Sequence, residues 1–188
     1  HAGQPILLED DALFTKIVTN RRGGFCYEAN GLFAALLRAL GFNAAMLSAR
    51  VANAAGDFGQ DFDHLTLMVS LEQRWLVDVG FGDSFLEPLL LDERGEQRQG
   101  NRAYRIIPDG NYLVLMRRDE GEEWKPEFLR QLHEAQRLAV ALRMRHAEVA
   151  VDLVVGVAAL LVADHHHALA VEAREAAHDR GIVGERAV

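Results

Sequence analysis

Cysteine is nearly absent from this chain: Cys26 is the only one in 188 residues. A solitary thiol cannot pair within the chain, and with no secretory signal in view it fits a reducing cytoplasm. Positive charge is scarce as well, with 20 Lys and Arg against 28 Asp and Glu. The resulting net charge of -8 argues against nucleic acid and against an anionic membrane surface as partners. No apolar run reaches the ~20 residues of a spanning helix. The best candidate, Val149 to Ala163, carries Asp152 and reads as a buried or associating helix. A phosphate-cradling loop is missing too, because Gly80-Phe81-Gly82-Asp83-Ser84 lacks the remaining glycine and the helix pattern that should follow. No metal is expected: His165, His166 and His167 beside Asp164 occupy consecutive positions that point in different directions and cannot close one site.

What is present begins with a hydrophobic content of 49%, enough for a core in one domain or two small ones. The lone thiol lies in Arg21-Arg22-Gly23-Gly24-Phe25-Cys26-Tyr27-Glu28, just before a run in which Leu32, Phe33, Leu36, Leu37 and Leu40 recur at helical spacing and Gly41 offers a stop. That spacing predicts a helix from Cys26 to Leu40 with the thiol at its N-terminus. Unpaired N–H groups and the positive end of the helix dipole favour a thiolate there, and Arg21 and Arg22 add positive charge. Gly23 and Gly24 allow a tight turn and close approach of a bound molecule. A lone cysteine is equally compatible with an inert, buried role, so the thiol needs partners before it counts as a nucleophile.

Those partners would be an imidazole to take the proton and a third group to orient it. Between the first residue and the last third of the chain, His64 is the only histidine. It opens an alternating segment in which His64, Thr66, Met68 and Ser70 take one side and Leu65, Leu67, Val69 and Leu71 the other, the pattern of a half-buried strand. Asp78 interrupts a second apolar strand, Arg74 to Phe81, and a carboxylate there requires a donor. A satisfied polar histidine and a locally bonded aspartate are the plainer reading of each alone. If Glu72-Gln73 formed a two-residue turn, His64 and Asp78 would fall on opposite faces. A working triad therefore predicts an odd-numbered connection or a bulge between Leu71 and Leu76.

Further elements are expected over Asp11 to Val18 as a short helix, and over Ala44 to Val51, Ala103 to Ile107 and Tyr112 to Arg117 as strands. Turns are expected at Gly56 and at Pro108-Asp109-Gly110-Asn111, and an exposed loop over Asp92 to Asn101. This order predicts an α+β fold, a helical segment carrying Cys26 packed on a small antiparallel sheet or barrel. Residues 1–43 would be the remainder of a helical domain, 44–130 a β-rich domain holding His64 and Asp78, and 131–188 an atypical tail, helical or poorly ordered.

Arg-Gly-Gly-Phe-Cys-Tyr-Glu at 22–28, Asp-His-Leu-Thr-Leu at 63–67 and Val-Asp-Val-Gly-Phe-Gly at 77–82 resemble the three signature blocks of the arylamine N-acetyltransferases, in order and in approximate spacing, from about Pro5 to about Phe128. The resemblance implies a cysteine-protease-like core. It also implies ping-pong transfer of an acetyl group from acetyl-CoA to an arylamine, arylhydrazine or arylhydroxylamine, with coenzyme A and the small-molecule acceptor as partners. It makes Cys26 the acetylated nucleophile, His64 the base and Asp78 its orienting group. Phe25 and Phe81 would line the acceptor site, and Gly82 and Ser84 would lie near the coenzyme. A related amide-forming acyltransferase with another donor or acceptor, and a silent remnant or binding module, are the alternatives. A helical hairpin precedes this region in the family, so the N-terminus is expected to be incomplete.

From Gln131 the composition changes. The last 58 residues hold six of the eight histidines and no Ser, Thr, Pro, Phe, Tyr, Trp, Lys, Asn or Cys. Apart from Met144 and Ile182, every residue there has a codon beginning with G or C, the pattern of a GC-rich gene read in a shifted frame. A frameshifted tail is the expectation.

Overall fold

The computed structural model describes residues 5–131. The expectations for the tail, including its helix, its histidine run and its altered frame, lie outside the described residues.

The first helix, α1, spans Asp10–Phe14 and continues as a π-helical turn over Thr15–Thr19, where a regular helix from Asp11 to Val18 was expected. Asp10 and Asp11 complement the N-terminal end of its dipole, and Leu13 is fully buried. Helix α2 spans Cys26–Ala39. Its stripe of Leu32, Phe33, Leu36, Leu37 and Leu40 is buried as the spacing requires. Gly41 ends it at φ 88°, with Phe42 N–H bonding Leu37 O and Gly41 N–H bonding Arg38 O, the paired bonds of a Schellman stop.

Among the described residues eight strands follow: β1 Asn43–Val51, β2 His64–Ser70, β3 Arg74–Val77, β4 Leu89–Leu90, β5 Gln97–Gln99, β6 Arg102–Asp109, β7 Tyr112–Asp119 and β8 Lys125–Gln131. They form one antiparallel sheet in the order β4-β3-β2-β1-β8-β7-β6-β5. The two ends of that order meet through side chains. Gln97 on β5 donates to Leu90 O and accepts from Leu90 N–H on β4, and Gln99 does the same for Glu87 O and the N–H groups of Leu86 and Glu87. Two amide side chains thus stand in for a ladder and draw the sheet toward a barrel. The α+β fold with the Cys26 helix against an antiparallel sheet is as the sequence predicts.

Two cores result. One lies between the helices and the Ala44, Met46, Leu65, Leu67, Val69 and Val77 face of β1–β3. The other lies inside the curl of the sheet, among Leu76, Phe85, Leu89, Tyr104, Ile106, Leu115 and Phe128. β2 is therefore buried on both faces, with His64 3% and Thr66 0% exposed, and not half-buried as its alternation suggested. The curl covers the face that a flat sheet would leave wet. β3 stops at Val77 and does not run to Phe81. Asp78 Oδ1 accepts the N–H of Gly80 two residues on, a local turn that competes with the ladder. β5 occupies part of the expected 92–101 loop, and Pro108 belongs to β6 rather than to the turn, which is Gly110-Asn111.

Among the described residues no helix is long and apolar enough to cross a membrane.

Candidate active site

Cys26 is the first residue of α2, as its position before the apolar stripe predicts. The local sequence explains how the helix starts there. Phe25 holds extended backbone at φ -82°, and its N–H donates to Glu28 Oε2 at 3.1 Å, satisfying one donor at the helix entry. Glu28 is buried, and its charge is met by Lys16 Nζ, 2.6 and 2.7 Å from the two carboxylate oxygens. Gly24 is required beneath this pair, since a Cβ there would lie 2.9 Å from Glu28 Cβ and 3.2 Å from Ile17 Cδ1. Gly23 borders open space.

His64 and Asp78 meet directly. His64 Nε2 lies 2.5 Å from Asp78 Oδ2, and both side chains are buried, 3% and 1% exposed. Their common face follows from the connection between β2 and β3. It has three residues, Leu71 to Gln73, and the register from Ser70↔Arg74 to Leu67↔Val77 sets even positions opposite even ones. With Nε2 engaged by the carboxylate, Nδ1 is the ring nitrogen left for a second partner.

Asn30 and Gly80 join the thiol's helix to this pair. Asn30, one helical turn beyond Cys26, is fully buried. Its amide donates to Leu65 O at 2.6 Å and to Asp78 Oδ1 at 2.8 Å, and its carbonyl accepts Val79 N–H at 2.9 Å. One side chain thereby fastens α2 to the start of β2 and to the end of β3. Gly80 packs on Cys26 itself: a Cβ at 80 would lie 2.7 Å from Cys26 Cα. Sequence reasoning missed Asn30. Its only signal was a polar residue at i+4 from the thiol on a helix whose following residues are apolar.

Of the other predicted residues, Phe81 stands edge-on to the His64 ring at 4.9 Å, and Phe128, which sequence reasoning missed, lies 5.6 Å from His64 and 5.3 Å from Phe81. Phe25 is 43% exposed and lies 5.9 Å from the Tyr27 ring. Tyr27 donates its hydroxyl to Phe62 O at 2.8 Å, and burial, then the neighbouring Cys26 and Asp63, hold its phenol above the usual range. Gly82 is exposed, with φ 95° and open space where a side chain would go. Ser84 is buried, and its hydroxyl donates to Glu127 Oε2 at 2.5 Å. Among the described residues no group of three or more His, Cys, Asp or Glu is arranged to hold a metal.

A family model described as N-acetyltransferase matches residues 1–154, further along the chain than the motifs alone reach. The arylamine N-acetyltransferase / N-hydroxyarylamine O-acetyltransferase of Salmonella typhimurium is 36% identical over 125 residues, which are 65% of this chain and 44% of that one. The solved arylamine N-acetyltransferase from Salmonella typhimurium superposes with a TM-score of 0.65 at 33% identity, covering 74% of this chain and 51% of that one. The Mycobacterium marinum arylamine N-acetyltransferase in complex with CoA gives a TM-score of 0.60 at 31% identity over 90% of this chain and 59% of that one. The chain thus spans about half the length of the relatives it matches.

Proposed function

The chain belongs to the arylamine N-acetyltransferase family, and from that membership we propose that it transfers an acetyl group from acetyl-CoA through Cys26 to an arylamine, arylhydrazine or arylhydroxylamine. The observation that carries the reading is the buried His64–Asp78 pair, 2.5 Å apart and tied through Asn30 to the helix that begins at Cys26.

The chemistry runs in two halves. In the first, His64 takes the thiol proton and Cys26 Sγ attacks the carbonyl carbon of the thioester. The tetrahedral oxyanion is met by N–H groups at the helix start. When the intermediate collapses, the bond from carbon to the coenzyme sulfur breaks, and His64 returns the proton to the departing coenzyme A. In the second half the acceptor nitrogen attacks the acetyl-cysteine, loses a proton to His64, and Cys26 is released. Asp78 engages Nε2 and so leaves Nδ1 as the ring nitrogen to exchange the proton with the thiol.

Phe81 and Phe25 are proposed to contact the flat acceptor, Phe81 through its place beside His64. Gly82, beside open space, and Ser84, held by Glu127, are proposed to mark where the coenzyme passes. A free thiol nucleophile suits the reducing cytoplasm, where we place the protein.

Initial rates at several fixed arylamine concentrations test the reading. Parallel double-reciprocal lines, abolished in Cys26→Ala, are expected of a ping-pong enzyme. Intersecting lines, or turnover that survives Cys26→Ala, would contradict it.

A further inference from the structure

Glu127 has no mark in the sequence, yet it occupies an unusual place in the sheet. Leu115 of β7 pairs with Phe128 and Met116 pairs with Pro126, so no β7 residue opposes Glu127. It is the extra residue of a bulge, and Pro126, which cannot donate to a ladder, precedes it. A bulge gives up regular pairing and re-aims a side chain. Here it turns a carboxylate inward, to 8% exposure, where burial pushes the Glu127 carboxyl above its usual range despite the donors facing it.

Those donors lead to the loop that follows Asp78. Ser84 Oγ bonds Glu127 Oε2 at 2.5 Å, and Arg117 Nη1 lies 3.4 Å from Oε1. Arg117 Nη1 also donates to Asp83 O at 2.8 Å, while Arg102 grips both Asp83 carboxylate oxygens at 2.6 and 2.9 Å. The loop is thereby pinned at both ends, at Asp78 by Asn30 and at residues 83–84 by this cluster. Between the pins lie Gly80, packed on Cys26, and Phe81, edge-on to His64. Phe128, the next residue after Glu127, closes on His64 and Phe81 from the other side.

We propose that Glu127 is a positioning residue for acyl transfer: from the β8 bulge it holds Ser84, and through the pinned loop it fixes Phe81 and Gly80, and so the His64 ring relative to Cys26. The inference rests on the acyl-transfer reading above. A charged residue kept in a bulge against its own desolvation, with every donor leading back to the site, is accounted for by that role.

The test compares the 188-residue chain with its Glu127→Ala, Glu127→Gln and Ser84→Ala variants. Acetylation of Cys26 is followed by intact mass across acetyl-CoA concentrations, and alkylation of Cys26 by iodoacetamide is followed separately, with near-ultraviolet circular dichroism as the check on folding. Glu127→Ala should lower the limiting acetylation rate about tenfold while leaving the half-saturating donor concentration within about twofold, and Ser84→Ala should lower the limiting rate by a similar factor. Glu127→Gln, whose amide oxygen still accepts from Ser84, should recover most of that rate, and alkylation should follow the same ranking. A folded Glu127→Ala that acetylates at the wild-type limiting rate overturns the inference. Should Glu127→Ala not fold, the same result in Ser84→Ala overturns it. If the unmutated chain takes up no acetyl group, the donor reading has failed on its own. The alkylation ranking then decides: the order above supports positioning, and four equal rates refute it.

Discussion

A methyl group at position 80 would lie 2.7 Å from Cys26 Cα and 2.9 Å from Asn30 Nδ2. Gly80→Ala should therefore push the thiol off its place, at an overpacking cost of about 1–3 kcal/mol, and slow acetylation far more than the loss of stability explains. A stopped-flow acylation rate set beside a urea midpoint checks this. Asn30→Ala removes the three hydrogen bonds of a buried side chain. At about 1 kcal/mol each the fold should lose about 3 kcal/mol, and Asp78 loses a donor that fixes it. Chemical denaturation reads the first effect and the acylation rate the second. At this scale the proposed triad stood out because each member breaks a pattern: one cysteine, one histidine in its region, one acid in an apolar run, and the structure brings His64 and Asp78 together. Asn30 and Glu28 were not legible, since polar residues in a first helical turn look solvent-facing until the chain folds over them. Glu127 gave no signal, because its role comes from a bulge that no residue spacing announces.

The elements with a strong period were read nearly to their ends. α2 begins at Cys26 as its stripe requires, and β1, β2, β6 and β7 lie where apolar alternation put them. The odd-numbered connection that a common face for His64 and Asp78 demands is Leu71 to Gln73, a turn that composition did not locate. β4, β5 and β8 escaped for physical reasons. β4 has two residues, β5 is Gln-Arg-Gln with no apolar face, and β8 carries a proline that argues against a paired strand. The loop between β3 and β4 depends on charge at its far end. Arg102, bonded to Asp83, holds that carboxyl below the usual aspartate range. A depressed carboxyl contributes stability that is present above its unfolded pKa and is lost as pH falls through the folded value. Thermal melts should therefore show wild type and Asp83→Asn converging below about pH 4. A constant gap between the two down to the most acid point would show that the pair contributes no such linkage.

Across the described residues, one sheet joins two cores, and its ends meet through Gln97 and Gln99. Replacing both with alanine removes amide partners from Leu86, Glu87 and Leu90 and should cost about 1–3 kcal/mol after allowance for water at these partly exposed groups. A urea midpoint that does not move would show that the curl is held by the inner core alone. β8 and β2 flank β1, which brings Phe128 against His64, so the candidate site draws on elements from residue 16 to residue 128 although Cys26, His64 and Asp78 span only 26 to 78. The chain spans about half of the relatives it matches, so the decisive question is whether this portion carries the acyl group itself. Incubation with acetyl-CoA, followed by intact-mass measurement and peptide mapping, answers it. A gain of one acetyl group is expected on the peptide bearing Cys26, absent in Cys26→Ala and discharged when an arylamine is added. No gain at any donor concentration, or an acetyl group mapped to another residue, would contradict it.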